Sequence, residues 1–372
     1  MNSAAVTFTG DIAFDQYFSL PIRGSLLDQP IVDFLTDSDY CVGNLEGPFI
    51  SLEGTEAPRF QHHSDCSAAR FIRDCGINIW TLANNHALDF GCEGILSSIG
   101  LADRLGCRTI GVRIGEKQAP DAIIIPGGGG VGLFSATYSE KKMQQTADCS
   151  YLDWNDLDGI KEIVTKIKKE CRWCVMIVHG GEEFSDLPMP ETRNRYLSYL
   201  DTGVDVVVGH HPHVVQNYET VGDKIIFYSL GNFIFDTDYQ RNQVHTDVGE
   251  LVKIRFSPVA FEWVSLPVRI DRENGRVIPE ERDPAVFADL PEKRYRKLWR
   301  FAAAGYYSAE RKIRLFLNPE KYRRYSAFKW MRRDFAMLRA KKDVSRIVGR
   351  YSAWCSRADR EDGTIKAYLT NK

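Results

Sequence analysis

Seven positions carry side chains suited to a pair of divalent metals: Asp11, Glu46, Asn85, His86, His179, His211 and His213. A carboxylate that can bridge, neutral imidazoles and an amide oxygen match ions such as Mn, Fe or Zn. Two such ions about 3.5–4 Å apart would clamp a phosphoryl oxygen for in-line attack. In His211-Pro212-His213 the imidazoles are two residues apart, so on an extended segment they point the same way, and a kink would aim each at a different ion. Any one of these residues reads more simply as a hydrogen-bonded structural histidine or a capping asparagine. Their concentration argues otherwise, because Asn84-Asn85-His86, His179 and His210-His211-Pro212-His213 hold five of the eight histidines. His62 and His63 fall in a polar loop, where contact with substrate competes with plain solvation, and His245 carries no signal.

The five histidines follow short apolar runs. Val6–Thr9 leads into Gly10-Asp11, Tyr40–Val42 into Gly43-Asn44, and Ile79–Ala83 into Asn84-Asn85-His86. Val175–Val178 leads into His179, Val204–Val208 into Gly209-His210-His211, and Ile225–Leu230 into Gly231-Asn232. Unalternating β-branched runs of this length predict strands buried on both faces, and intervening helical stretches make the architecture α/β. Helices are expected over Ser67–Cys75, Glu93–Leu105, Asn155–Lys169 and Pro190–Leu200. Pro126–Gly132 lacks a nucleotide-loop pattern and reads as a hairpin connection. Thr246–Ile278 alternates like antiparallel strands, with Glu273-Asn274-Gly275 as a turn. In sheets of this kind, sites form beyond the strand ends, and one shared site explains six polar ends most simply.

Composition sets the outer bounds. The chain has 372 residues, 48 Lys plus Arg and 50 Asp plus Glu, with 44% hydrophobic and 26% charged residues. That is an ordinary folded protein, not a disordered, collagen-like or disulfide-scaffold chain. Its near-neutral charge hides an asymmetry. Residues 291–360 hold 21 Lys plus Arg against 6 Asp plus Glu, a net of +15, interleaved with thirteen aromatic residues that include Trp299, Trp330 and Trp354. The first 290 residues therefore carry about −17, and two regions are expected: 1–290, and a basic, aromatic-rich helical extension over 291–372. Phe328, Met331, Phe335 and Leu338 give that extension an amphipathic helical stripe. It would pack on the core with its cations solvated or paired with the acidic first region, or dock on anionic lipid or polymer, with nucleic acid ranking third for want of a binding motif. Nine scattered cysteines without a paired framework suggest a reduced compartment, and Cys171-x-x-Cys174 reads as a structural pair. With no basic leader and no apolar stretch of roughly 18 residues, a cytoplasmic or membrane-peripheral location is expected.

Six blocks in this order resemble the bacterial capsule synthesis protein CapA family, also called poly-γ-glutamate capsule synthesis proteins, within the calcineurin-like metallophosphoesterase superfamily. They are GDIAFD (10–15), GNLEGPF (43–49), ANNHALDFG (83–91), VHGGEEF (178–184), GHHPHVVQ (209–216) and YSLGNFIFD (228–236). The resemblance spans roughly residues 4–270 and implies a four-layer α-β-β-α sandwich of the metallophosphoesterase type. It also implies roles: Asp11 and His213 on a first metal, Glu46 bridging, and Asn85, His179 and His211 on a second. His86 would protonate the leaving group with Asp89 as its partner. Asn44, Asn84, Glu183, His210 and Asn232 would bind substrate or support the ligands. Two departures stand out. Ala13 occupies the histidine position of the superfamily's D-x-H, leaving the first metal a ligand short, to be made up by Asp15 or water or not at all. Gly180 occupies a position that is commonly Trp in the family. The function implied is a metal-dependent hydrolase or transferase acting on a phosphate ester or related bond in capsule, exopolysaccharide or poly-γ-glutamate metabolism. The alternative is a non-catalytic capsule-assembly component that binds an anionic polymer or lipid-linked precursor through a degenerate metal site.

Overall fold

The computed structural model describes residues 3–18, 26–51, 61–115, 122–138, 149–282, 287–293 and 295. By its internal contacts the chain separates into Met1–Ala302 and Ala303–Lys372; the amphipathic stripe predicted over 328–338 lies outside the described residues.

Two sheets form the centre. In the first, Ala4–Ile12, Tyr40–Leu45, Ile79–Thr81 and Arg108–Ile110 run parallel, and Val248–Phe256, Phe261–Asp271 and Arg276–Pro279 extend it antiparallel from Ala4–Ile12. In the second, Val131–Thr137, Trp173–His179, Val206–His210 and Lys224–Phe227 are parallel neighbours, with Ile123–Ile125 and Tyr218–Val221 antiparallel at the edges.

Alternation along each strand divides its side chains between two cores. Val175 and Ile177 face the other sheet and join Val6, Phe8, Val42, Val206 and Val208 in the inter-sheet core. Cys174, Met176 and Val178 face outward, where Ile160, Ile163 and Val164 of helix Leu157–Ile167 and Tyr196 and Leu200 of helix Pro190–Asp201 cover them. On the far side, helices Gln29–Thr36, Ala68–Asp74 and Gly91–Leu105 pack on Cys41, Leu45 and Trp80. The result is helix, sheet, sheet, helix. Unalternating runs were therefore the right signal, since both faces of these strands are buried.

Two hairpins follow the sequence reading. Ile123–Ile125 turns into Val131–Thr137 through Gly127 to Gly130, all at positive φ, which glycine alone adopts without strain. Gly275 (φ 64°) turns Phe261–Asp271 into Arg276–Pro279. Three features departed from expectation. Helix Gln29–Thr36 is additional; its signal was Pro30 in the first turn with Ile31 and Leu35 four apart, but two turns are too short for periodicity to register. The run Ile225–Leu230 forms a strand only as Lys224–Phe227, in the second sheet, and its continuation Asn232–Ile234 joins the end of Ala4–Ile12 in the first. Cys92 and Cys149, 57 residues apart, form a disulfide that no spacing announced. Cys171 and Cys174 are free and buried. No helix among the described residues is long and apolar enough to cross a membrane.

Ile177 is 1% exposed in the inter-sheet core. Ile177→Ala is expected to cost about 2–5 kcal/mol in denaturant unfolding; a loss below about 1 kcal/mol would show that the two sheets do not share a packed core.

Candidate metal centre

The carboxyl ends of the parallel strands of both sheets meet at one edge of the sandwich. Asp11 lies opposite Asn44 in the first sheet, and His179 opposite His210 in the second. The chain crosses between the sheets beside them, so backbones approach closely: a Cβ on Gly209 would lie 2.0 Å from the carbonyl oxygen of Tyr228. After Val206–His210 the backbone kinks sharply. His211 (φ 94°) and His213 (φ 56°) adopt left-handed conformations, as does Phe184 (φ 58°), whose ring stacks on His213. Such conformations cost roughly 1–3 kcal/mol each at a non-glycine residue and persist only where packing enforces them.

Asp11 is completely buried. Its Oδ1 accepts hydrogen bonds from Asn44 Nδ2 (2.8 Å) and His210 Nδ1 (2.9 Å), and Oδ2 from the His211 amide (3.4 Å), with His213 Nδ1 at 3.3 Å. Burial would raise its pKa, but the bonds from His210 and His213 outweigh it and hold the carboxyl well below the usual range. Glu46 is also fully buried. Burial and then the charge of Asp11 push it up to about 7. His213 moves the other way: burial would lower it, yet the hydrogen bond to Asp11 and the charges of Glu46 and Asp11 raise it to about 9. His211 falls to about 3 through burial and the charge of His213, and burial likewise holds His179 well below the normal imidazole range.

Three buried atoms of this site, Glu46 Oε1, His211 Nδ1 and Asn44 Oδ1, have no hydrogen-bond partner. A bare carboxylate oxygen and a bare imidazole nitrogen deep in a protein are costly unless something else satisfies them. Ligand atoms of Asp11, Glu46 and His179 lie within 4.8 Å of one another, as do those of Glu183, His211 and His213. His179 Nε2 also reaches Asn85 Oδ1 at 2.8 Å. Carboxylate, imidazole and amide donors converging on orphaned atoms fit a divalent metal.

The predicted residues thus come together at these strand ends. Glu183, expected to support the ligands, joins His211 and His213, and Tyr239 donates to its Oε2 (3.1 Å). Asn44 sits between Asp11, Glu46 Oε2 (3.3 Å) and His179 Nδ1 (3.1 Å). Asn232 accepts from His213 Nδ1 (3.0 Å), and His210 is spent on Asp11. Asn84 is fully buried and braces loops, donating to the Leu45 carbonyl and accepting from the amides of His86 and Gly47. Its place is beneath the site. His86 Nδ1 pairs with Asp89 Oδ2 (2.6 Å), while Nε2 lies 3.9 Å from Glu46 Oε1.

Asp15 belongs to neither ligand group. It pairs with His62 (3.0 Å), whose ring packs against His86, so His62 is part of the site after all. His63 lies against Phe90 instead, and His245 pairs with Asp186. Gly180 does not leave a hole. A Cβ there would lie 2.6 Å from the Trp154 ring, which fills that space and carries Arg195 on one face; Tyr138 stands between Trp154 and His211.

In protein stripped of metal, His213 keeps its proton to about pH 9, whereas an unfolded histidine loses it near 6.5. The stability this proton confers is full below about 6.5 and is lost as pH rises to about 9. Glu46 has the same sign at lower pH, and His179 and His211, kept neutral, oppose it only below about 6.5. Urea denaturation of chelator-treated protein should show a fall between about pH 7 and 9 of no more than about 3 kcal/mol, abolished in His213→Gln. A flat profile would contradict the Asp11–His213 pairing. Metal affinity should rise across the same window, because ligation requires the neutral imidazole.

Comparison with known proteins bears on this arrangement. PGA biosynthesis protein CapA of Bacillus subtilis (strain 168) is 25% identical over 292 residues, covering 74% of this chain and 77% of that protein. Capsule biosynthesis protein CapA of Bacillus anthracis is 26% identical over 252 residues, covering 64% of this chain and 61% of that protein. Among solved structures, a 5'-nucleotidase from Candida albicans SC5314 aligns with a TM-score of 0.43 at 12% identity, over 73% of this chain and 52% of that one. The family described as bacterial capsule synthesis protein PGA_cap matches residues 5–237, a stretch that holds every candidate ligand from Asp11 to His213. The chain belongs to the bacterial capsule synthesis protein family PGA_cap.

Proposed function

We propose that the chain is a metal-dependent hydrolase or transferase acting on a phosphate ester or related bond in capsule, exopolysaccharide or poly-γ-glutamate metabolism. The observation that carries this reading is His86, with Nδ1 on Asp89 and Nε2 turned toward the orphaned Oε1 of Glu46. A histidine used only for structure has no need of that placement. The polymer is suggested by the names of the Bacillus relatives.

Asp11, Glu46, Asn85, His179, His211 and His213, with Glu183, would hold one or two ions, Mn, Fe or Zn by donor chemistry. When bound, the metal would supply Lewis-acid charge to a phosphoryl group in its transition state. Asn44, His210 and Asn232 hold the ligand side chains in place. His86 delivers the proton on Nε2 to the departing oxygen, and Asp89 fixes the ring and stabilises its cationic form from Nδ1.

A second reading, a non-catalytic assembly component that binds an anionic polymer or lipid-linked precursor, draws support from Ala13. It is fully buried, and its amide is spent on Ile234, so no imidazole enters from that position. On either reading the partners are phosphorylated or polyanionic, and the basic extension over 291–372 is where membrane contact would be made.

With Mn²⁺ the purified protein should cleave a generic phosphodiester, and His86→Ala and Glu46→Ala should each lower kcat by about 10²- to 10⁴-fold. Full activity in both variants would remove the mechanism. Elemental analysis separates the readings, because two metals per chain favour hydrolysis and none favours binding. Anionic vesicles should co-sediment the full chain but not a chain ending at residue 290; equal, negligible binding by both would eliminate membrane docking.

A further inference from the structure

We propose that His62 is a positioning residue for His86, itself held by Asp15; the inference rests on the hydrolytic reading above, in which His86 Nε2 delivers the proton. Asp89 Oδ2 ties the two histidines together, accepting from His86 Nδ1 at 2.6 Å and from the backbone amide of His62 at 2.8 Å. The His62 ring meets the His86 ring edge to face, centroids 4.3 Å apart, and meets Phe235 in the same way at 5.0 Å.

His62 Nδ1 is fixed at 3.0 Å from Asp15 Oδ2. Asp15 lies four residues beyond Asp11, and the neighbouring Phe14 amide donates to Ser64 Oγ (2.8 Å), so the loop that bears His62 is fastened to the strand that bears a metal ligand. The side chains of His62 and Asp15 are each 14% exposed, and those of His86 and Asp89 18% and 17%. The group is therefore packed yet reachable from solvent. Turning His86 Nε2 away from Glu46 would require the ring to displace His62, which Asp15 and Phe235 hold. An acid must be held near the productive geometry to transfer its proton efficiently, and a ring bonded to Asp89 and packed against the His62 ring has little freedom to leave it.

A positioning role acts only through proton delivery, so it should depend on how much the leaving group needs a proton. Rates would be measured with Mn²⁺ on two phosphodiesters, one with a nitrophenolate and one with an alkoxide leaving group, for wild type, His62→Ala, Asp15→Asn, His86→Ala and His62→Ala combined with His86→Ala. His62→Ala should lower kcat at least tenfold on the alkyl ester and less than threefold on the nitrophenyl ester, with KM unchanged, and should add nothing to His86→Ala. Equal losses on both esters, or additivity with His86→Ala, would overturn the proposal. If His62→Ala does not fold, Asp15→Asn carries the same expectation and the same refutation. A second readout needs no turnover: the downfield proton resonance of the His86–Asp89 hydrogen bond, identified by its loss in His86→Ala, should shift or broaden in Asp15→Asn and His62→Ala. An unchanged resonance would overturn the proposal. A wild type inactive on both esters, with a resonance that responds to His62, would remove the hydrolytic reading and leave the positioning of His86 standing.

Discussion

Two carboxylates with no solvent exposure, Asp11 and Glu46, lie where the two sheets meet, and the surrounding structure is organised around stabilising them. Burying an ionised carboxylate costs several kcal/mol unless it is compensated by charge and hydrogen bonds. Asp11 is compensated within the protein, by Asn44 and two histidines. Glu46 is not, since Oε1 has no hydrogen-bond partner and its pKa is pushed up to about 7. An incompletely compensated acid grouped with Asp11 and His179 is the electrostatic state that a divalent cation would complete.

That constraint explains features that would otherwise be liabilities. Left-handed backbone at His211 and His213 costs conformational energy, but it turns two imidazoles two residues apart toward the acids from a strand end. The backbone crossing at Gly209 requires a residue without a side chain, because the segment that carries Asn232 back to the first sheet passes directly against it. Both sheets must be rigid for these placements to hold. Rigidity comes from the shared inter-sheet core and from the helices that cover each outer face.

The site is graded from inside outward. At the deepest level are Asp11, Glu46 and His179; next come His211, His213 and Glu183; at the rim, His86, Asp89, His62 and Asp15 are partly exposed. The candidate metal ligands are thus closed off from solvent to differing degrees, while the His86–Asp89 and His62–Asp15 pairs stand where solvent reaches them. Beside Gly180 the Trp154 ring, from a different loop, closes the neighbouring wall and carries Arg195 on one face.

The α/β class, most strands, four of the main helices and the metal-type residues were legible from sequence because each depends on local pattern: buried runs, polar strand ends and turn glycines. Helix Gln29–Thr36 was too short to register, and the run 225–230 could not reveal that its continuation changes sheets. By itself the sequence determined which side chains were available for metal and proton chemistry and that they stand at strand ends. Only the tertiary structure decided which of them share an ion's reach, that Glu183 joins His211 and His213, that Asn84 braces loops, and that His62 packs on His86. Those outcomes depend on distances between segments tens to hundreds of residues apart, which are set by sheet register and by the packing of one sheet on the other and leave no periodic trace along the chain.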